Sequence, residues 1–341
     1  MDDKAYALPP GSRVLVTGAD GYIASQIINL LLSRGYHVRG QVLEHRQWLD
    51  EHFKGKYGNL FKSVILSDLD DREGIVPLLD DVAGVILVAM DMSFGDDPSI
   101  VEKTVKSTLT WLEVAAESSS VKRVVLTSSS SACVTPVANS PARFDKDSFN
   151  HAAVAAVQNN TAEIPGMMSA SIYAASKTEA ERQAVKWVQD HEPSFVLNMV
   201  LPYWCLGPRV HPEAGSPMGS MGMASALVKG YGDFMYRFPP MWYVSVEDVA
   251  YLHIAALLHP DLKLERIFAM AAPFNWTDVV EIIRKLQPDN DKIPDPPADE
   301  GRCLHEFLEA GKAEKLLQEF CGRSGWTSLE DCLVVGLPTY D

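Results

Sequence analysis

Two apolar rhythms alternate along the first two hundred residues of this chain. Short contiguous apolar runs, the mark of strands buried on both faces, fall at 13–17 (RVLVT), 36–43, 63–66, 85–89, 121–127 (VKRVVLT) and 195–201 (FVLNMVL). Between them apolar residues recur every three or four positions, as over 22–33 (YIASQIINLLLS), which Gly35 ends, and over 100–117 and 176–190. Strand alternating with helix predicts an α/β fold, a doubly wound parallel sheet with helices on both faces.

After Pro202 the rhythm changes. Residues 207–223 (GPRVHPEAGSPMGSMGM) have no period and predict a long irregular segment, of the kind that often serves as a lid or binding loop. Helices are predicted over 246–258 and 278–285, and the Pro- and Asp-rich stretch 286–302 as loop. The C-terminal third reads as a smaller lobe folded over the edge of the sheet.

Composition narrows the function classes. The 341 residues are 47% hydrophobic and 22% charged, an ordinary globular balance. A net charge of −15 argues against nucleic acid or an anionic membrane surface as partner, since phosphates need clustered Lys and Arg. The five cysteines are scattered, none forms a CxxC pair, and the nine histidines do not join them at metal-ligand spacing. Neither a disulfide framework nor a metal site is expected, and a reducing, cytoplasmic setting fits. The stretch MDDKAYALPPGS has no apolar signal core, and no window of about 18 apolar residues predicts a membrane span.

Candidate chemistry begins at 14–24, VLVTGADGYIA. Gly18 and Gly21 stand between the first strand and the first helix, with Ala24 at the third small position. Gly18 permits a tight turn, Gly21 lets a pyrophosphate approach the backbone, and Ala24 allows close packing of helix on strand. The helix start then offers unpaired N–H groups to phosphates. This predicts a Rossmann-type dinucleotide-binding domain over 1–202, with parts of 240–260, and a substrate lobe formed mainly by 203–341.

Tyr173 and Lys177 stand in SIYAASKTEAE, four residues apart and therefore on one helix face. A phenol, with a pKa of about 10, is a poor acid–base catalyst at neutral pH. A neighbouring ammonium favours the phenolate, so the pair suits proton transfer to and from a carbonyl oxygen. The run Thr127–Ser131 (TSSSS) ends the fifth strand, where open parallel sheets bind ligands. A hydroxyl there steadies developing oxyanion charge. The run by itself leaves open which of Ser129, Ser130 and Ser131 takes that role.

The TGxxGxxA turn resembles that of the extended short-chain dehydrogenase/reductases. VRG at 38–40, VLTSS at 125–129, FDKDSFN at 144–150, YAASKTEAE at 173–181, YVSVEDVA at 243–250 and GWTSLED at 325–331 are similar to fungal aldehyde and ketone reductases and to plant dihydroflavonol and cinnamoyl-CoA reductases. The resemblance implies NADPH-linked reduction of a small hydrophobic aldehyde or ketone, with Ser129, Tyr173 and Lys177 catalytic. It also implies cofactor contacts at Gly18, Gly21, Tyr22, Ile23, Arg39, Asp68, Leu69, Ala89, Tyr173, Lys177 and Pro202, and a monomer or homodimer.

One departure bears on the cofactor. The family's basic residues after the second strand, which grip the 2′-phosphate, are here Leu43 and Gln47. Arg39, His45 and Arg46 stand nearby as substitutes, while Glu44 suits a ribose hydroxyl instead, which keeps NADH as an alternative. Met90, Phe94, Tyr203, Trp204, Met218, Met221 and Met223 are candidates to line an apolar pocket. Two other functions use the same fold: an epimerase or dehydratase with tightly held NAD, and a non-catalytic dinucleotide sensor.

Overall fold

All six predicted strands form, and they join one sheet. The computed structural model describes residues 6–90, 95–217 and 219–340. Its strands are β1 (Arg13–Thr17), β2 (His37–Val42), β3 (Phe61–Ile65), β4 (Val82–Leu87), β5 (Arg123–Thr127), β6 (Ala142–Phe144), β7 (Val196–Pro202), β8 (Trp204–Leu206), β9 (Met241–Ser245), β10 (Arg266–Ala269), β11 (Ala272–Phe274) and β12 (His305–Phe307). The main sheet has the order β3-β2-β1-β4-β5-β7-β10, with every neighbouring pair parallel. The chain runs outward from β1 to β3, then returns to place β4 on the other side of β1. That reversal opens a crevice at the carboxyl ends of β1 and β4, where such sheets bind ligands.

β10 is the strand of the main sheet that periodicity missed. Its four residues, RIFA, are buried throughout and too few to show a period. Pairing with β7, from Arg266 opposite Met199 to Ala269 opposite Pro202, holds it in place. It lies in the range read as lobe, yet it is an edge strand of the main sheet.

Helices α1 (Tyr22–Ser33), α2 (Gln47–Tyr57) and α8 (Val246–Leu258) cover one face, where Ile27, Leu31, Phe53 and Leu252 join the core around Val16 and Ile86. On the other face lie α3 (Arg72–Ile75), α4 (Ser99–Glu117), α5 (His151–Gln158) and α6 (Met168–His191), with Trp111, Leu112 and Ala184 against Val85 and Leu197. Helix α6 begins at Met168, well before 176, because its opening turns carry small residues with no apolar period (MSASIYAAS). Tyr173 therefore lies inside the helix.

A buried arginine ties β5 to the end of α8. Arg123, opening β5, donates to the carbonyls of Leu257 (3.0 Å), Ala256 (3.0 Å) and His259 (2.8 Å) at the end of α8. These are the orphan carbonyls a helix end leaves, and a cation there complements the helix dipole.

The lobe is built on the small sheet β11-β9-β8. Around it α7 (Ser220–Ala226), α9 (Trp276–Leu286) and α11 (Leu329–Gly336) enclose Trp276, Met221, Met241 and Leu333. β12 pairs with β6, and α10 (Ala310–Lys315) follows. The irregular segment is shorter than predicted, since α7 begins at Ser220. Residues 207–217 fold back over the glycine turn: Tyr22 Oη donates to Gly207 O (2.7 Å), Gln26 to Pro208 O (2.8 Å) and Gly215 N to Asp20 O (2.8 Å). His211 stacks on Trp48 at 4.7 Å.

Candidate active site

The turn after β1 excludes side chains by its geometry. Gly18 has φ 62°, and a Cβ there would lie 3.2 Å from Ala89 Cβ. A Cβ on Gly21 would lie 2.9 Å from Gly18 O, which itself accepts from Gly21 N at 2.8 Å. Gly21 caps α1 without any side-chain hydrogen bond, so the first amides of the helix face the crevice uncapped. Thr17 Oγ1 accepts from Val88 N (2.9 Å) and Ala89 N (3.0 Å), which pins Ala89 against Gly18. Buried Gln41 accepts from Gly18 N (3.1 Å) and donates to Leu66 O (2.8 Å), bracing the turn from β2. Ala24 is fully buried against the sheet. A cradle that a Cβ would fill, closed by uncapped helix amides, fits a dinucleotide pyrophosphate. Asp68, beyond β3, caps its own turn through Asp70 N (2.9 Å) and is exposed, Leu69 is half-buried, and Pro202 is buried at the end of β7.

Beyond β5 the site is made of side chains. Lys177 Nζ donates to Thr127 O at 2.8 Å. Thr127 Oγ1 lies 2.8 Å from His253 Nε2, and His253 Nδ1 lies 2.8 Å from Val249 O. A carbonyl only accepts, so Nδ1 carries the proton and Nε2 accepts from the Thr127 hydroxyl. Burial draws Lys177 down to about 8 and His253 to about 4. Ser129 hydrogen-bonds the Tyr173 hydroxyl and accepts from Ser131 N at 3.2 Å, while Ser128 donates to Glu181. The serine run is thereby divided: Ser128 turns into the core and Ser129 meets Tyr173.

The spacing of Tyr173 and Lys177 led to the expectation of a lowered phenol pKa. In the structure burial raises it, and the Ser129 hydrogen bond offsets only part of the rise. The ammonium is engaged with Thr127 O, which explains why burial dominates.

The profile of the NAD dependent epimerase/dehydratase family matches residues 14–271. The chain belongs to that family. A ketoreductase of Aspergillus novofumigatus is 40% identical over 98% of each chain. Aldehyde reductase 2 of Sporidiobolus salmonicolor is 34% identical over 96% of this chain and 95% of its own. The crystal structure of yeast methylglyoxal/isovaleraldehyde reductase, complexed with NADPH, shares the fold with a TM-score of 0.77 at 22% identity, covering 96% of this chain and 98% of that one. Within the family the chain stands in the reductase branch.

Among the expected cofactor contacts of this family member, Arg39 is displaced. Its guanidinium donates to Leu78 O and to Asp80 O (3.1 Å), just before β4. That is the amino end of the sheet, opposite the glycine turn, so Arg39 is out of reach of a nucleotide held there. Arg46 lies at the correct end. Its Nε contacts Asp20 Oδ2 at 2.9 Å and its Nη1 contacts Glu44 Oε1 at 2.8 Å. Leu43, at the position of the family's arginine, is 54% exposed, and Arg46 is held against Asp20 of the glycine turn.

On the substrate side, Met90 and Met223 are half-buried, Tyr203 packs edge-on against Phe307, and Trp204 against Phe238 and Trp276. Met221 is fully buried in the lobe core. Phe94 and Met218 lie outside the described residues. Sequence reading named Thr127 only as the start of the hydroxyl run and passed over His253, Gln41 and Glu181. Only Glu181 left a local signal, a carboxylate one turn after Lys177 on the same helix face.

Proposed function

We propose that this protein reduces a small hydrophobic aldehyde or ketone with NADPH, Tyr173 acting as general acid. The observation that carries the reading is the meeting of Ser129 with Tyr173, and of Lys177 with the backbone of the same strand end, across the crevice from an uncapped glycine turn. The names of the 40% and 34% identical relatives, ketoreductase and aldehyde reductase, support the reaction class.

Bound NADPH would supply the hydride for the carbonyl carbon. Gly18, Gly21, Tyr22 and Ile23 would hold its phosphates, Asp68 and Leu69 its adenine side, Ala89 and Pro202 its nicotinamide side, with Tyr173 and Lys177 at the adjoining ribose. Tyr173, kept protonated by burial, gives its proton to the oxygen as negative charge develops there. Ser129 donates to the same oxygen and fixes its direction. Lys177, largely charged at neutral pH, stabilises the tyrosinate left behind. Arg46 takes the part assigned to Arg39 and faces the 2′-phosphate. Half-buried Met90, Met223 and Trp204 supply an adaptable apolar wall.

The decisive experiment is Tyr173→Phe. Turnover is abolished while NADPH binding stays nearly intact, and retained turnover would sink the assignment. Glu44, exposed beside Arg46, favours a second reading, an epimerase or dehydratase with tightly held NAD. NAD that co-purifies and survives dialysis supports that reading, whereas stoichiometric NADPH consumption excludes it. We place the protein in the cytoplasm, as a monomer or homodimer. Its five scattered cysteines, with no CxxC pair among them, suit a reducing compartment, and sedimentation decides the oligomeric state.

A further inference from the structure

Tyr173, Lys177 and Glu181 form one stripe of α6, each a turn from the next. Glu181 is fully buried, and its carboxylate receives Arg266 Nε at 2.5 Å and the Ser128 hydroxyl. Arg266, 6% exposed, comes from the edge strand β10. Its Nη1 also donates to Lys146 O and Ser148 O, both at 2.8 Å, and its plane lies over the Phe149 ring at 4.1 Å. Stability alone is a weak reason for such a pair. Apolar side chains in place of a buried ion pair are often neutral or stabilising, because both charges lose their hydration.

Position supplies a better reason. Glu181 is one turn beyond Lys177, and Ser128 directly precedes Ser129. Lys177, Glu181 and Ser128 line one cavity of about 20 Å³, together with Thr104, Ser107 and Thr108 of α4 and the apolar Ala89, Met90, Leu126 and Ala180, so both charged side chains border the same space. We infer that Glu181, held by Arg266 and Ser128, is a positioning residue for the catalytic pair: it keeps the Lys177 ammonium charged and anchors the strand end that carries Ser129. The inference rests on the reading of Tyr173 and Lys177 as the acid–base pair.

The charge count shows how it works. Glu181 and Arg266 cancel, which leaves Lys177 as one net positive charge beside Tyr173. The other groups that face this region are neutral or remote. From α8, His253 is held neutral by burial at about 4. The Cys133 and Cys205 thiols are pushed up to about 12. α4 presents hydroxyls only to the cavity, and Asp145 is exposed and acts on Cys133. Glu181 opposes the downward pull of burial on Lys177. Without it the net charge becomes two, and the Tyr173–Lys177 pair releases its proton more readily, whichever member gives it up.

The test is the pH profile of kcat with NADPH and an aromatic aldehyde that the wild type reduces. In Glu181→Gln the alkaline limb moves down by about one pH unit, the size expected of one buried charge several ångströms away. Glu181→Asp keeps the wild-type position, and Glu181→Gln combined with Arg266→Met, which restores the net charge, returns to it. Urea stability against pH, read without cofactor, shows the same displacement, and Lys177→Met removes it. A Glu181→Gln profile merely scaled down at every pH, with its limb unmoved, overturns the inference. Should Glu181→Gln not fold, Arg266→Gln carries the test with opposite sign: its limb moves up, and an unmoved limb overturns the inference equally. Tyr173→Phe separates the two readings. If it retains turnover, the catalytic assignment fails; if it is inactive and Glu181→Gln keeps the wild-type limb, only the role of Glu181 fails.

Discussion

At the β1 end of the crevice the working atoms belong to the backbone, whereas at the β5 end they belong to side chains. Around Gly18 and Gly21 the chain offers amides, and the requirement on sequence is that nothing protrude: a Cβ at either glycine meets Ala89 or Gly18 O within 3.2 Å. Around Thr127 the requirement is the reverse. Lysine, histidine, glutamate and arginine from α6, α8 and β10 are buried close to the end of β5, in hydrogen bonds and an ion pair that cross between elements. The first region is governed by sterics over a few consecutive residues. The second is governed by electrostatics among residues up to 126 positions apart, as Thr127 and His253 are. A cofactor's phosphates need only a shape and a dipole, whereas a proton donor needs a tuned environment.

The strongest way to press this contrast is Lys177→Met. Turnover falls about a thousandfold, within the range for lost acid–base catalysis. Stability moves the other way. The folded pKa, about 8, lies below the ordinary lysine value of 10.5, so between these values the unfolded chain binds more protons and stability rises with pH. Below pH 8 the buried ammonium costs about 3 kcal/mol. Removing it, less the hydrogen bond to Thr127, stabilises the variant by about 2 kcal/mol at pH 7 in urea titrations. A variant both inactive and less stable would break the electrostatic account of the β5 end.

Gly18→Val presses the other side. Forced strain at φ 62° together with the Ala89 contact lowers stability by about 3 kcal/mol, and NADPH affinity, read by fluorescence titration, falls about a hundredfold. Gly11→Ala is its control. That residue has φ 85° but nothing within 4 Å of its Cβ, so it loses only about 1 kcal/mol and binds NADPH unchanged.

His253→Gln sharpens the comparison from the acid side. The folded histidine titrates at about 4 and the unfolded one at about 6.5. The unfolded chain therefore takes up the proton first, and wild-type stability drops by as much as about 3 kcal/mol as pH falls through that window. The glutamine variant loses that slope while its amide still bonds Thr127; a slope that persists assigns the loss elsewhere. The smallest effect belongs to the rim. Arg46→Ala raises KM for NADPH about tenfold and leaves KM for NADH unchanged, because a partly exposed cation contributes only about 1 kcal/mol. Equal losses with both nucleotides would remove Arg46 from the 2′-phosphate.

The same division decides what the sequence disclosed. β1, α1 and α8 appear with the boundaries their apolar periods predict, since each buries a continuous face against the sheet. The glycine turn is legible because its logic is local. Arg39 misled because proximity in sequence says nothing of which end of a strand a long side chain reaches; Leu78 O and Asp80 O decide that. β10 escaped because four residues show no period, and with it escaped the partner of Glu181. Within the serine run, the family resemblance singled out Ser129, but only tertiary packing assigns Ser128 to Glu181.

That late strand has a bearing on how the molecule is dissected. β10 and α8 both follow residue 202, and both complete the sheet that the first residues begin, with Arg123 as the clasp between them. The topology is of high contact order, and chain closure comes only once the C-terminal third has docked. A fragment cut at 202 leaves β7 as a bare edge and strips the apolar cover from the α1 face, the two features that invite aggregation. A protease nick within 207–217 leaves sheet and helix on opposite fragments, which remain associated in native gels. A boundary drawn at residue 202 therefore cuts through the main sheet and its cover, because β10 and α8 come from beyond it.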